Sequence, residues 1–410
     1  MSTEAVPAAP ESAEVPTCPF DFADGLDFDP ALLSMLRSEE RVARVRMPYG
    51  EGDAWLVTRY EDVRTVTTDR RFSRNAVTGK DFPRMTPEPI VQTGAINLMD
   101  PPESSRLRRL VRQSFAPRHL ERMRGRTQSV VDGLLDAMAE SGSPTDLFAH
   151  LALPLPLVTI CEVLDIPEAD RHWLRAHAMT MMNMKPAGKE AAVRAKGELR
   201  EYFARLTAER RRSPGADMIS TLATAREGGE MLGEDELTVM AMVLLITGQD
   251  TTTYQLGNIS YLLLTRDDVR ERLRSDPDSL PRVLEELLRH IPFRKGVGIP
   301  RIATEDVELG GALIRAGDTV HVSYLTANRD GEKFERPDEI DLDRPSVPHM
   351  TFGWGSHHCL GSPLAVMELE IALSTLLRRF PDLALAVEPG EVEWNATSIW
   401  RYPLALPVTW

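Results

Sequence analysis

The stretch Asp235–Thr265 reads as one helical pattern of about 30 residues, roughly 45 Å at 1.5 Å per residue, and the rest of the fold has to be arranged around it. Its middle is unusual for a helix: Ile246-Thr247-Gly248-Gln249-Asp250-Thr251-Thr252-Thr253. Glycine and three consecutive β-branched residues weaken a helix. Threonine hydroxyls also bond back to carbonyls and open the ladder. An opened turn would let a small molecule or a water sit against the backbone.

A second stretch, Thr351-Phe352-Gly353-Trp354-Gly355-Ser356-His357-His358-Cys359-Leu360-Gly361, sets a cysteine in a glycine-rich loop just ahead of an apolar helix starting near Pro363. The following helix N-terminus offers partial positive charge and free N–H groups, which lower a thiol pKa. The glycines let backbone approach closely, as a flat cofactor lying against the loop requires. A lone cysteine is most often a small buried hydrophobe. Fixed positions at Phe352, Gly353, Gly355, His357, Cys359 and Gly361 are a much narrower pattern.

Elsewhere the layout is mixed and then helical. Arg44–Met47 and Ala54–Val57 read as a β-hairpin. Phe72–Pro102, with five prolines, reads as a long irregular segment of the kind that usually carries function. Helical patterns run from Glu103 to about Thr265, broken at Pro117, Pro154/Pro156, Pro167, Lys185–Gly188 and Ser213–Gly215, and resume at Pro281–His290. Short strands are expected at Val307–Leu309, Thr319–Ser323 and Leu404–Leu406. Residues 1–16 are expected to be a disordered tail, and 17–410 one domain.

The net charge of −14 argues against nucleic acid or an anionic membrane as partner. One local basic run stands out: Arg106, Arg108, Arg109, Arg112, Arg118, Arg122, Arg124 and Arg126. It reads either as a solvated helix face or as a docking surface for an acidic partner. Cys18, Cys161 and Cys359 are odd in number and far apart, which is no disulfide framework and fits a reducing cytoplasm. The best membrane candidate, Val239–Ile246, is far short of the about 20 residues a spanning helix needs. A monomeric, cytoplasmic protein is expected.

The loop spacing resembles the haem-binding loop of the cytochrome P-450 monooxygenases, in which the cysteine is the proximal iron ligand. The resemblance extends to the long helix. The family keeps (Ala/Gly)-Gly-x-(Asp/Glu)-Thr there, matched at Gly248, Asp250 and Thr251, with Thr247 in place of the usual small first residue. It implies that Thr251 hydrogen-bonds the oxygen being activated and that Asp250 helps bring in protons, which is general-acid work. Glu286 and Arg289 resemble the pair that a later arginine, here Arg344, completes as a structural cluster behind the cysteine loop. Asp100-Pro101-Pro102-Glu103-Ser104-Ser105-Arg106-Leu107-Arg108 resembles a propionate-binding segment, with Ser104 where histidine is usual. Arg108, Arg301 and His357 match propionate contacts, and charge-assisted bonds of that kind are strong.

This resemblance implies a mainly α protein with a small β region: a helical domain whose long central helix lies over a haem, with a minor sheet at one side. It implies heme b with Cys359 as axial thiolate, cofactor contacts from Phe352, Gly353, Gly355, Gly361 and Gly248, and a soluble bacterial member of secondary metabolism. The pocket is expected among the Phe72–Leu98 loop, Met179–Met184, Thr247, Val297, Gly298, Ile299 and Ile399. Electrons would come from a ferredoxin and its reductase, to hydroxylate, epoxidise or couple a natural product. A peroxide-driven oxygenase and a haem-thiolate sensor are the alternatives. The Asp250-Thr251 pair argues against the first, and the lack of an output domain against the second. A zinc site at His357-His358-Cys359 lacks a Cys-x-x-Cys partner.

Overall fold

The structure is a computed structural model describing residues 15–18, 25–89, 94–115, 117–226, 231–295, 297–346 and 348–410. Helix α1 (Pro30–Arg37) precedes the antiparallel pair β1 (Val42–Arg46) and β2 (Asp53–Val57), then α2 (Tyr60–Thr68) and β3 (Phe72–Ser73). Past the irregular segment come α3 (Glu103–Ser114), α4 (Pro117–Ser141), β4 (Thr145–Asp146), α5 (Pro154–Val163) and α6 (Glu168–Met181). Next are α7 (Lys189–Arg212), α8 (Met218–Thr224), α9 (Glu234–Thr265), α10 (Asp267–Ser275) and α11 (Leu280–His290). Strands β5 (Arg301–Ala303), β6 (Val307–Leu309), β7 (Ala312–Ile314) and β8 (Thr319–Val322) lead to the single turn α12 (Tyr324–Ala327). After the cysteine loop follow α13 (Ser362–Arg379), β9 (Ala384–Leu385) and β10 (Pro407–Thr409).

Proline places several boundaries. It has no N–H to donate and suits a first helical turn, so α4 and α5 begin on Pro117 and Pro154, and Pro167 caps α6. Two expectations need correction. Helix α10 was not foreseen, and the last strand is Pro407–Thr409 rather than Leu404–Leu406, because Leu406 N spends its hydrogen on Asp146 Oδ1 (2.8 Å). The tail expected to be disordered lies outside the described residues except for its end. There, Pro16 O accepts from Arg46 N (2.9 Å), so this end of it is tied to β1.

Helix α9 is buried along most of its length, as befits a largely apolar helix, and packs against α5, α7, α8, α10 and α13. Three acids, Glu234, Asp235 and Glu236, sit in its first turn, where the helix dipole favours them. Glu236 Oε2 accepts from Gly233 N at 2.8 Å. The threonine run does not break the helix. Thr247 Oγ1 donates to Val243 O (2.7 Å) and Thr251 Oγ1 to Thr247 O (3.0 Å), inside an assignment that is helical throughout.

The main sheet runs β1-β2-β8-β5-β3, parallel between β2 and β8 and antiparallel elsewhere. It brings Arg301 on β5 close to Tyr324, just after β8. Segment 72–102 is closed at its base by Asp100, which accepts from Ser73 Oγ (2.5 Å) and Arg74 N (3.0 Å). A small apolar cluster of Val77, Phe82, Leu98 and Ile302, with Ile299 against it, fills its interior.

Candidate active site

The cysteine loop is held by its own backbone. Gly353 N donates to Met350 O (2.8 Å), and Cys359 N to Phe352 O (2.8 Å). Gly353 and Gly355 have φ of +73° and +68°, where side chains are strained. A Cβ on Gly355 would come within 2.5 Å of Thr67 O, so this glycine is needed for the loop to seat on α2. Gly361 N-caps α13, and Phe352 is half-buried beside the loop. Gly248 is accounted for in the same way: its missing Cβ would lie 2.8 Å from the Ile160 side chain, so its size serves the packing of α5 on α9.

The Cys359 thiol is open by surface area, yet enough protein surrounds it that burial pushes its pKa up. Both hold for a group on the wall of an internal space. The N–H groups of Gly361 and Ser362 and the Arg108 charge act downward, as the helix terminus leads one to expect, but burial outweighs them. Thr247 is likewise exposed and Thr251 half-buried, although α9 is otherwise enclosed.

Around that space lie polar atoms without partners among the described residues: Arg301 Nη1 and Nη2, Arg74 Nε, His357 Nδ1, Ser104 Oγ and the Tyr324 hydroxyl. Arg301 is 1% exposed and Ser104 wholly buried. A buried guanidinium without an anion is costly, so the arrangement fits a cofactor that brings carboxylates to Arg301 and His357. Arg108 donates to His358 O. Burial, then the charges of Arg74, Arg301 and Arg108, push His357 down to about 2. Burial acts upward on Tyr324, but the charges of Arg301 and Arg74 win and its net shift is downward.

Asp250 is 2% exposed with Oδ2 unpartnered among the described residues, and burial pushes it up to about 7 against the opposing Arg175 charge. Of the expected pocket residues, Thr247 and Ile299 reach accessible surface, whereas Val297 and Ile399 are buried. Lys295 N to Ile399 O (2.7 Å) brings the two pocket segments side by side, and Gly298 packs on Tyr324. In the methionine run, Met179 Sδ accepts from Tyr254 (2.7 Å), and Met181 and Met182 are core.

The acid–arginine cluster is fully formed. Glu286 accepts from Arg289 Nε and Nη2 (both 2.8 Å) and from Arg344 Nε (3.0 Å), all three side chains being buried. The sequence reading missed Arg74, Arg294, Tyr324 and the buried Glu368, which burial pushes up to about 8. No local pattern marks any of them. Among the described residues no group of three or more His, Cys, Asp or Glu could hold a metal, which leaves the zinc reading without ligands. No single helix there is long and apolar enough to cross a membrane.

A cysteine ahead of α13, with the charges of Arg74, Arg301 and Arg108 acting on His357 two residues before it and the Arg301 guanidinium without a carboxylate among the described residues, suits an anionic, metal-bearing cofactor ligated by thiolate. The Cytochrome P450 family profile matches residues 160–384, and the chain belongs to that family, whose iron is held in a haem with a thiolate ligand. It is thus an oxidoreductase of the monooxygenase class. It is 46% identical over 393 residues to nocardicin C N-oxygenase of Nocardia uniformis subsp. tsuyamanensis (96% of this chain, 98% of that one). Identity is 42% to biflaviolin synthase of Streptomyces coelicolor (94% of each). The crystal structure of cytochrome P450mel, described as having biaryl coupling reactivity, matches with a TM-score of 0.95 at 74% identity, covering 97% of this chain and 100% of that one.

Proposed function

We propose that this chain couples two aryl units of a natural product oxidatively, with heme b bound to Cys359. The observation that carries the reading is the 74% identity to a structure described as having biaryl coupling reactivity, supported by the relative named biflaviolin synthase. The haem supplies oxidising power from O₂ once two electrons arrive. The reaction balances as two Ar–H, O₂, two electrons and two protons giving Ar–Ar and two waters, with no oxygen entering the product. Arg301, Arg108 and His357 hold the propionates. Thr251 positions a proton donor on the pocket side of α9 and Asp250 resupplies it. Thr247, Ile299 and the 72–98 segment shape the space for the rings. Mass spectrometry of turnover in labelled O₂ tests this. The expected product is a dimer lighter than two monomers by two hydrogens and free of label; a monomer carrying one labelled oxygen would show hydroxylation or epoxidation instead.

Electrons are assigned to a ferredoxin and its reductase, in the cytoplasm, meeting the cysteine-loop side. An open depression of about 450 Å³ lies there, lined by Arg124, Phe352, His358, Pro363 and Met367 among others. Part of the basic run is already paired: Arg106 with Glu236 (2.9 Å), Arg126 with Glu162 (2.9 Å), Arg124 with Glu370 (3.6 Å). Arg112 is exposed and its charge acts on His358. The double variant Arg109→Glu, Arg112→Glu should slow reduction by ferredoxin about tenfold at low salt and less at high salt. Stopped-flow rates that match wild type at low salt would remove this face from the assignment.

A further inference from the structure

One stretch of the irregular segment before α3 is tied down residue by residue. From Phe82 to Glu88 the chain forms neither helix nor strand, yet six of its seven carbonyls accept a hydrogen bond. A single side chain supplies three of the six. Arg84 spends four of its five N–H groups here: Nε on Thr86 O (3.0 Å), Nη2 on Pro87 O (3.0 Å), and Nη1 on both Phe82 O (3.2 Å) and the Asp81 carboxylate. Thr86 Oγ1 adds a bond to Glu88 O (2.7 Å). Phe82, Pro83, Met85, Thr86 and Pro87 are all buried, and buried backbone acceptors have to be satisfied somewhere. A lysine, a point charge without the guanidinium fork, could not meet these acceptors together.

Two other elements hold this knot in place. The β1–β2 turn pairs with it through Arg84 N to Tyr49 O (2.7 Å) and Tyr49 N to Arg84 O (3.1 Å). His321 on β8 lies with Nε2 2.9 Å from Pro83 O and Nδ1 3.4 Å from Gly298 O. Burial pushes this histidine down to about 4, so its ring is neutral at neutral pH and has one N–H to give, which the shorter contact takes. The imidazole thus stands between the knot and the chain at Gly298. Beside it, Ile299 packs on the apolar cluster that contains Phe82. Both sides of this contact are segments assigned above to the substrate space.

We propose that Arg84 is a positioning residue for substrate selection: it ties residues 81–88 into a preformed wall, so that ligands are sorted by the shape of a fixed surface and not by a loop that closes around each one. This rests on the placing of residues 72–98 at the substrate space in the proposed function, and not on the coupling chemistry. A wall that needs no ordering at each binding event keeps binding energy that a loose loop would lose. Two measurements on ferric holoprotein test it. The first is hydrogen exchange at the amides of Arg84 and Tyr49, which should be protected in wild type without ligand, gain nothing when phenylimidazole binds, and lose protection in Arg84→Ala. The second compares imidazole with phenylimidazole by spectral titration: both bind haem iron through nitrogen, and only the second carries a ring into the substrate space. Wild type should prefer phenylimidazole. Arg84→Ala should lose about tenfold of that preference, the cost of ordering one backbone residue on binding, with imidazole affinity and haem content unchanged. Arg84→Lys should recover part of it. His321→Leu, which frees Pro83 O and keeps Arg84, should show a smaller loss and serves where Arg84→Ala does not hold haem. Four outcomes would overturn the wall: amides that exchange fast in ligand-free wild type and slow on binding, no phenylimidazole preference in wild type, an undiminished preference in the variant measured, or an equal loss for both ligands. The coupling reading fails separately: oxygenated monomer as product refutes it and leaves the wall standing.

Discussion

Glu286→Ala should yield protein with little or no haem and cost roughly 3–5 kcal/mol of stability, the usual penalty for breaking a buried ion pair by removing one partner. Glu286 is 5% exposed and accepts from Arg289, from Arg344 and from Asp341 N (2.8 Å). Its two arginines spend their other N–H groups on the chain that leads to the cysteine loop. Arg289 reaches the carbonyls of Asn328, Pro337 and Glu339 (2.8 Å each), and Arg344 those of Glu335 and Arg336. Without the carboxylate, two guanidiniums repel in a dry interior and residues 328–344 lose their pins. Domains are stable by only about 5–15 kcal/mol, so this loss is a large share of the total. Soret absorbance per mole of purified protein and urea unfolding of the same sample measure it. Glu286→Gln, which keeps the shape and loses the charge, should fall between. Haem content and unfolding midpoint equal to wild type in Glu286→Ala would remove the structural role.

What the sequence made legible was local. The cysteine loop, the threonine run and the Glu286-Leu287-Leu288-Arg289 turn each carry their chemistry within one short segment, and periodicity and proline placed the helices around them. Helix α10 was legible as well, with Asp267 and Asp268 in its first turn, Arg272 and Arg274 in its last and Val269 and Leu273 buried one turn apart, but its short length let it pass as a connection. What stayed hidden depends on contacts distant in sequence. Arg74 sits in an irregular segment and meets Arg301, more than 200 residues away, only because β3 pairs with β5. Arg294 becomes a pocket residue through its bridge to Trp400. The glycines teach the same lesson from the other side. Gly248 and Gly355 read as room for a flat cofactor, and the structure adds a second reason for each, since a Cβ there would meet Ile160 and Thr67.

Asp250→Asn should slow product formation by about 100-fold or more, the scale of a lost general acid, while leaving haem content and substrate binding in place. The pH behaviour separates this role from a packing role. The folded carboxyl titrates at about 7, raised from an ordinary 3.8 by burial. Below about 4 the group is neutral folded and unfolded alike and costs nothing. As pH rises toward about 7 the unfolded chain ionises while the folded protein still holds the proton, so stability drains away across that window, by roughly 4 kcal/mol in all. Above it the cost is constant. Asparagine never ionises, so the variant should be more stable than wild type near pH 8 and close to it near pH 4. Urea unfolding at both pH values reads the stability arm, and turnover with its solvent isotope effect reads the catalytic one. The role requires both together: a slower, more proton-limited reaction in a protein that is more stable at high pH. A variant that turns over like wild type would remove Asp250 from the proton path.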